Sequence, residues 1–181
     1  MATVPKPRYS VADYLAMERR SETRHEFYAG EIFAMGGASE RHVLIVTNTV
    51  REMSSQLKKK PCKVYSNGLR VKVNSTGLYT YPDVAVVCGE AQFDDQHFDT
   101  LLNPKVIIEV LSESTEAYDR GKKFEHYRKI ESLTDYVLIS QDAHHIEHYG
   151  RQSRRTLAPL RGGWSSGVDR AAFDRLRAAA G

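Results

Sequence analysis

Two unbroken apolar runs constrain what this chain can fold into more than any other feature. Val84–Val87 and Val106–Leu111 show no alternation of polar and apolar residues, apart from one acid in the second run. Strands that read this way are buried on both faces, so both runs belong in the middle of a covered sheet. Asp83, after Tyr81-Pro82, opens the first run, and Glu109 interrupts the second. A carboxylate in apolar surroundings is costly unless something compensates its charge. Two such acids close together raise each other's pKa, and a divalent cation removes that repulsion. Taken singly, Asp83 reads as a turn cap after proline and Glu109 as the partner of a surface cation. Taken together on adjacent strands, with a lysine on the following helix, they read as a metal-dependent site.

Helical phase selects the lysine. The stretch Thr115–Glu131 is amphipathic, and Phe124, Tyr127 and Ile130 mark its apolar face. With about 100° per residue, Lys123 lies about 40° from a face centred on Tyr127, and Lys122 about 140° away. Lys123 therefore points to the sheet and Lys122 to water. Asp119, four residues earlier, offers Lys123 a plain i,i+4 partner. Arg120 also projects inward on this geometry, which makes it a second candidate cation. Glu26 and Glu31, on either side of the Gly30 turn, are accessory ligand candidates, and His42 is an accessory candidate at the start of a helix.

The remaining elements follow in order. Ser10 caps a short helix with Val11, Tyr14, Leu15 and Met17 on its apolar side. Two short extended pieces meet at Ala29-Gly30. Ser39 caps a longer helix whose Val43, Val46, Val50, Met53 and Leu57 recur at helical spacing. Lys58-Lys59-Lys60 and Pro61 end it. Cys62 to Val73 reads as two strands around an Asn67-Gly68 turn, and Asn74–Gly77 is a further turn. Residues 89–103 form a long polar loop. Asp135–Ser140 is a strand, His145–Tyr149 pairs beside it, and Asp169–Ala180 forms a short helix. This order gives an α/β chain with a mixed central β-sheet flanked by helices.

Several function classes drop out. The chain carries a net +3, but residues 151–181 hold seven arginines against two aspartates. The excess charge belongs to that tail, so it says little about a DNA-binding face. Cys62 and Cys88 show no ligand spacing and are expected as unpaired thiols in a reducing cytoplasm. No apolar segment is long enough to span a bilayer, and Met1–Ser10 lacks the apolar run of a signal peptide. Gly36-Gly37-Ala38-Ser39 lacks the Lys-Ser/Thr of a phosphate-binding loop, so no nucleotide cofactor is expected. The histidines form no zinc cluster. A carboxylate-pair glycosidase needs several aromatics in a cleft, and the single Trp164 lies outside the core.

Tyr81-Pro82-Asp83, Ile108-Glu109-Val110-Leu111-Ser112 and Asp119-Arg120-Gly121-Lys122-Lys123 with Tyr127 are similar to the bacterial Uma-two family of the PD-(D/E)XK nuclease superfamily. The resemblance also takes in Ser10–Leu15, Glu26, Gly30-Glu31-Ile32 and His42, and spans roughly residues 8 to 150. It implies a restriction-endonuclease-like core, with residues 1–150 as one domain that carries an N-terminal helix and hairpin extension. Residues 151–181 are then a basic tail. It further implies Asp83 and Glu109 as ligands of Mg²⁺ or Mn²⁺, with Val110 contributing its carbonyl, and Lys123 as the catalytic cation. In the superfamily that lysine usually stands two residues after the glutamate. Leu111 holds that place here, so the resemblance assigns the role to the helix, in agreement with helical phase. Ala29, Ile130-Glu131-Ser132 and Tyr136-Val137 depart from the family pattern outside the candidate site. The expected partners are DNA and a second copy of the chain as a homodimer, in the cytoplasm. The alternative is a nuclease fold that binds nucleic acid or a protein without cleaving.

Overall fold

The computed structural model describes residues 7–152 and 156–159. Its elements, in order, are α1 (Val11–Glu18), β1 (His25–Tyr28), β2 (Glu31–Ala34), α2 (Glu40–Leu57), β3 (Cys62–Ser66), β4 (Arg70–Val73), β5 (Leu78–Thr80), β6 (Val84–Cys88), β7 (Thr100–Leu101) and β8 (Val106–Leu111). A helix follows in three joined pieces: α3 (Glu116–Tyr118), a π-turn (Asp119–Lys123) and α4 (Phe124–Tyr127). β9 (Asp135–Ser140), β10 (Ile146–Gln152) and β11 (Thr156–Pro159) close the order. Within the expected tail 151–181, Arg151 and Gln152 end β10 and Thr156–Pro159 form β11; the part beyond Pro159, with Trp164 and the expected helix Asp169–Ala180, lies outside the described residues.

The strands form two sheets. The larger runs β11-β10-β9-β8-β6-β3 and the smaller β2-β1-β5-β4-β7. β8 sits in the middle of the larger, antiparallel to β6 and parallel to β9. The two apolar runs are therefore central strands, and their alternate residues serve two cores. Val84, Val86, Val106, Ile108 and Val110 pack under α2 with Val46, Met53 and Leu57. Ala85, Val87, Ile107 and Leu111 face the other way, onto Tyr127, Tyr136 and the Val71, Val73 and Leu78 side chains of the smaller sheet. A strand filled on both sides has no solvent face to mark with polar residues, which is why these runs lack alternation.

Local signals explain the flanking elements. Ser10 accepts from the Asp13 N–H, and Asp13 answers with its carboxylate, a reciprocal cap at the start of α1. Ala29 and Gly30 both have positive φ, as a tight hairpin of β1 and β2 demands. α2 is capped by Ser39, and Val46, Thr49, Met53 and Leu57 form its buried stripe. Val43 and Leu44 remain exposed at its first turn.

Four readings need correction. Cys62 and Cys88 are not unpaired thiols. They are opposed in the β3–β6 register and form a disulfide. Spacing in sequence could not reveal a pairing created by two strands meeting. Asn67-Gly68 does not close a hairpin, because β3 pairs with β6 in one sheet and β4 with β5 in the other. The residues 89–103 include β7, which pairs with β4 in parallel. The helix ends at Tyr127 rather than Glu131.

The disulfide closes a loop whose ends are 26 residues apart. Chain entropy for a loop of that length corresponds to about 3–4 kcal/mol. The expected outcome is no free thiol on thiol titration of the unfolded, unreduced protein. The Cys62→Ser/Cys88→Ser double variant should melt well below the parent.

Candidate active site

The β6–β8 register builds the site. Val84 lies opposite Ile108, and one further step brings Asp83 level with Glu109. Both acids stand at the same end of the larger sheet, where β6 begins and β8 nears its end. The Asp83 N–H donates to Glu109 Oε2 at 3.2 Å, and the Val110 N–H donates to Asp83 Oδ2 at 2.8 Å. Within a strand the N–H and C=O of one residue point the same way. The Val110 carbonyl therefore faces the Asp83 side, beyond the end of β6.

Tyr81 is fastened rather than free. Its hydroxyl donates to Glu18 and accepts from Arg70. Glu18 also accepts from the His25 N–H, and Arg70 reaches Thr100 and Asp99. This buried network joins α1 to the smaller sheet and anchors the chain two residues before Asp83.

The cation arrives from the helix. Lys123 Nζ lies 2.9 Å from Glu109 Oε1, 3.3 Å from Asp119 Oδ1 and 3.6 Å from Glu26 Oε1. Lys123 is 5% exposed and Glu109 3%. Tyr127 donates its hydroxyl to Glu109 Oε1 at 2.8 Å. Glu26 is held by the Thr80 hydroxyl and by Tyr118 at 3.1 Å. The His42 ring lies 3.0 Å from Asp83 Oδ1 through Nε2, and the His42 backbone N–H donates to the Ser39 hydroxyl.

Charge accounts for the titration behaviour. Four acids (Glu26, Asp83, Glu109 and Asp119) share one lysine and one histidine. Burial pushes the Glu109 carboxyl up to about 8, against the pull of Lys123 and with a further push from Asp119 and Asp83. Burial likewise raises Asp119. Burial opposes the charge on Lys123, but Glu109 with Tyr127, Asp119 and Glu26 carries its pKa well above the ordinary lysine range. The hydrogen bond to Asp83 raises His42, against burial.

The structure thus brings together Asp83, Glu109, Val110, Lys123, Asp119, Glu26 and His42. One sequence candidate stands elsewhere. Arg120 turns away from the expected inward direction and joins Glu116 and Glu147. Glu31 sits at the turn end of the hairpin, opposite Tyr28, whereas Glu26 lies opposite Phe33. The hydroxyl roles of Tyr118, Tyr127 and Thr80 were not read from the sequence. Tyr127, four residues after Lys123, reads in the sequence as an apolar position and as part of the family pattern, and neither assigns its hydroxyl a role.

The donor set suits a hard divalent cation. Asp83, Glu109 and the Val110 carbonyl offer oxygen only, and Mg²⁺ needs one or two carboxylates because it keeps several waters. Surplus negative charge in a buried place also favours a cation. Among the described residues no group of three or more His, Cys, Asp or Glu is arranged to hold a metal. That restricts the fit to a site completed by backbone and water, unlike a closed zinc site.

Comparisons with known proteins agree with this architecture. The Uma2 family, described as "Putative restriction endonuclease", matches residues 11–171. The chain is 37% identical over 147 residues to "Uncharacterized protein slr1290" of Synechocystis sp. (strain ATCC 27184 / PCC 6803 / Kazusa), covering 81% of this chain and 76% of that one. It is 33% identical over 146 residues to "Uncharacterized protein sll1609" of the same organism, covering 81% and 82%. A crystal structure described as a putative nuclease belonging to DUF820 from Anabaena variabilis ATCC 29413 superimposes with a TM-score of 0.67 at 19% identity, covering 82% of each chain. That likeness gives the fold, which is restriction-endonuclease-like. No helix among the described residues is long and apolar enough to cross a membrane. With more than half of its length matched, the chain belongs to the Uma2 family.

Proposed function

We propose that this protein is a Mg²⁺- or Mn²⁺-dependent endonuclease that hydrolyses DNA phosphodiester bonds. The observation that carries this reading is the convergence of the Lys123 ammonium on Glu109, beside Asp83, at one end of the sheet. Asp83 and Glu109, with the Val110 carbonyl, are the ligands. A divalent cation bound there supplies positive charge to the scissile phosphate and lowers the pKa of an attacking water. Lys123 orients that water or stabilises charge developing on the phosphate oxygens. Tyr127 fixes the rotamer of Glu109, and His42 fixes that of Asp83. Cutting both strands of a duplex in one encounter is served by two such sites, for which a homodimer is the simplest assembly.

The deep burial of Lys123 and Glu109 favours a second reading, a nuclease fold that binds without cutting. Plasmid nicking in Mg²⁺ or Mn²⁺ separates the two. Wild type should nick and chelation should stop it. Asp83→Ala and Lys123→Ala should each lose about 10²-fold or more. Retained activity in both variants, with their fold verified, would sink the assignment.

Proton linkage gives a second expectation. A carboxyl raised to about 8 in the folded chain binds a proton that the unfolded chain releases. Metal-free stability therefore falls as pH rises towards 8. Raised His42 acts in the same sense, while His126 is lowered by burial and acts in the opposite sense. The window from 6.5 to 8 lies above the His126 range. Urea melts in chelator should show decreasing stability across it, and Mg²⁺ should flatten the slope. Calorimetry should find about one proton released per metal bound near pH 7, since the metal displaces the Glu109 proton.

A further inference from the structure

The helix carrying Lys123 is irregular at the place where the site needs it. Asp119, Lys123 and Tyr127 are spaced by four residues, and all three face the same acid. Tyr127 and Lys123 both contact Glu109, and Asp119 contacts Lys123. A regular α-helix does not align three such positions. Four residues overshoot a full turn by about 40°, so Asp119 and Tyr127 would diverge by about 80° around the axis. The π-turn over Asp119–Lys123 removes this drift. Its turn is wider, so four residues fall short of a full circle instead of overshooting it. The shortfall from Asp119 to Lys123 offsets the overshoot from Lys123 to Tyr127, and the three side chains line up along the sheet.

A wide turn weakens the regular hydrogen-bond ladder, and a carbonyl inside a core needs a partner. One partner comes from the neighbouring strand. Tyr136, on β9, donates its hydroxyl to the Asp119 carbonyl at 3.1 Å and is fully buried. Its ring stacks on Phe124 with centroids 5.1 Å apart and lies 5.5 Å from the ring of Tyr127. It thus grips the residues after Lys123 with its ring and the start of the π-turn with its oxygen. Tyr136 is level with Ile107, on the face of the sheet that carries Glu109. The strand next to the metal-ligand strand is therefore the part of the fold that holds the turn.

We infer that Tyr136 is a positioning residue whose hydroxyl holds the π-turn in its register and so sets Asp119 and Lys123 against Glu109. It touches neither phosphate nor metal, and acts through the backbone of the helix. The consequence for catalysis rests on the nuclease reading, whereas the consequence for the helix does not.

Tyr136→Phe keeps the ring and removes only the donor. Tyr79→Phe is the control, because Tyr79, on β5 of the smaller sheet, is also a buried residue but its hydroxyl serves Asp94 in the segment before β7. Amide hydrogen exchange reads the turn, and plasmid nicking reads the site. In Tyr136→Phe, exchange at residues 119–124 should quicken about tenfold, in line with loss of one buried hydrogen bond. Exchange in β6 and β8 should stay as in wild type. Its kcat should fall about 10- to 100-fold with KM for DNA within about twofold, the size expected for a partner outside the reacting groups. Tyr79→Phe should leave the exchange of residues 119–124 and kcat unchanged. Wild-type exchange in Tyr136→Phe overturns the inference, as does wild-type kcat in an active enzyme. A Tyr136→Phe chain that fails to fold also overturns it, since the hydroxyl would then be a global fastening. If wild type itself does not nick DNA, the proposed function fails, and the exchange measurement alone decides the inference.

Discussion

Lys123 is one ammonium shared among three carboxylates that come from three separate elements. Glu109 belongs to β8 in the larger sheet, Asp119 to the helix, and Glu26 to β1 in the smaller sheet. Once Glu109 is ionised, above its raised pKa of about 8, its attraction to Lys123 at 2.9 Å and an effective dielectric near 20 is about 6 kcal/mol before costs. Taking both ions out of water costs several kcal/mol each. The pair therefore does little better than break even as a source of stability, and an apolar pair would fill the same space. What the arrangement does contribute is geometry. One charge holds two sheets and a helix to a common point, and it leaves negative charge in excess there.

The remainder of the fold keeps that point in place. The apolar runs fix β6 and β8 as neighbours, and their register alone brings Asp83 level with Glu109. A slip of one residue would turn Glu109 towards α2 and away from Lys123. Resistance to such a slip is distributed along β6. At its start, the network of Tyr81, Glu18 and Arg70 holds the approach to Asp83. At its end, Cys88 is bonded to Cys62 of the edge strand. The acid stands at the fastened end of a strand whose middle is buried on both faces.

Much of this could be read from the residues, and the exceptions share a cause. Unbroken hydrophobicity identified the central strands, because burial on two faces leaves that pattern and few others. Ser10 and Ser39 marked helix starts because a cap is a local interaction. Helical phase placed Lys123 correctly although it assumed a regular helix, since Lys123 and Tyr127 are separated by only one regular step. The same assumption sent Arg120 inward, where a wider turn instead brings it to Glu147. Asn67-Gly68 looked like a hairpin because turn chemistry is local, while the choice of pairing partner is not. The disulfide was missed for the same reason. Its cysteines meet only once β3 has paired with β6, and no spacing rule in one dimension encodes that meeting.

Hydroxyl groups are the remaining blind spot, and they matter most at the site. Tyr118, Tyr127 and Tyr136 each sit where a hydropathy pattern asks only for a large apolar ring. Their rings meet that demand, and Tyr127 and Tyr136 are fully buried. Their oxygens do separate work, donating to Glu26, to Glu109 and to the Asp119 carbonyl. Buried acids survive in a core only where such donors meet them. A chain with phenylalanine at all three positions would show the same periodicity and predict the same elements. It would lack the donors that steady Glu26 and Glu109 and the one that holds the helix turn. In this fold, then, the elements follow from apolar surface, whereas the candidate site depends on a few oxygen atoms carried by residues that otherwise read as core.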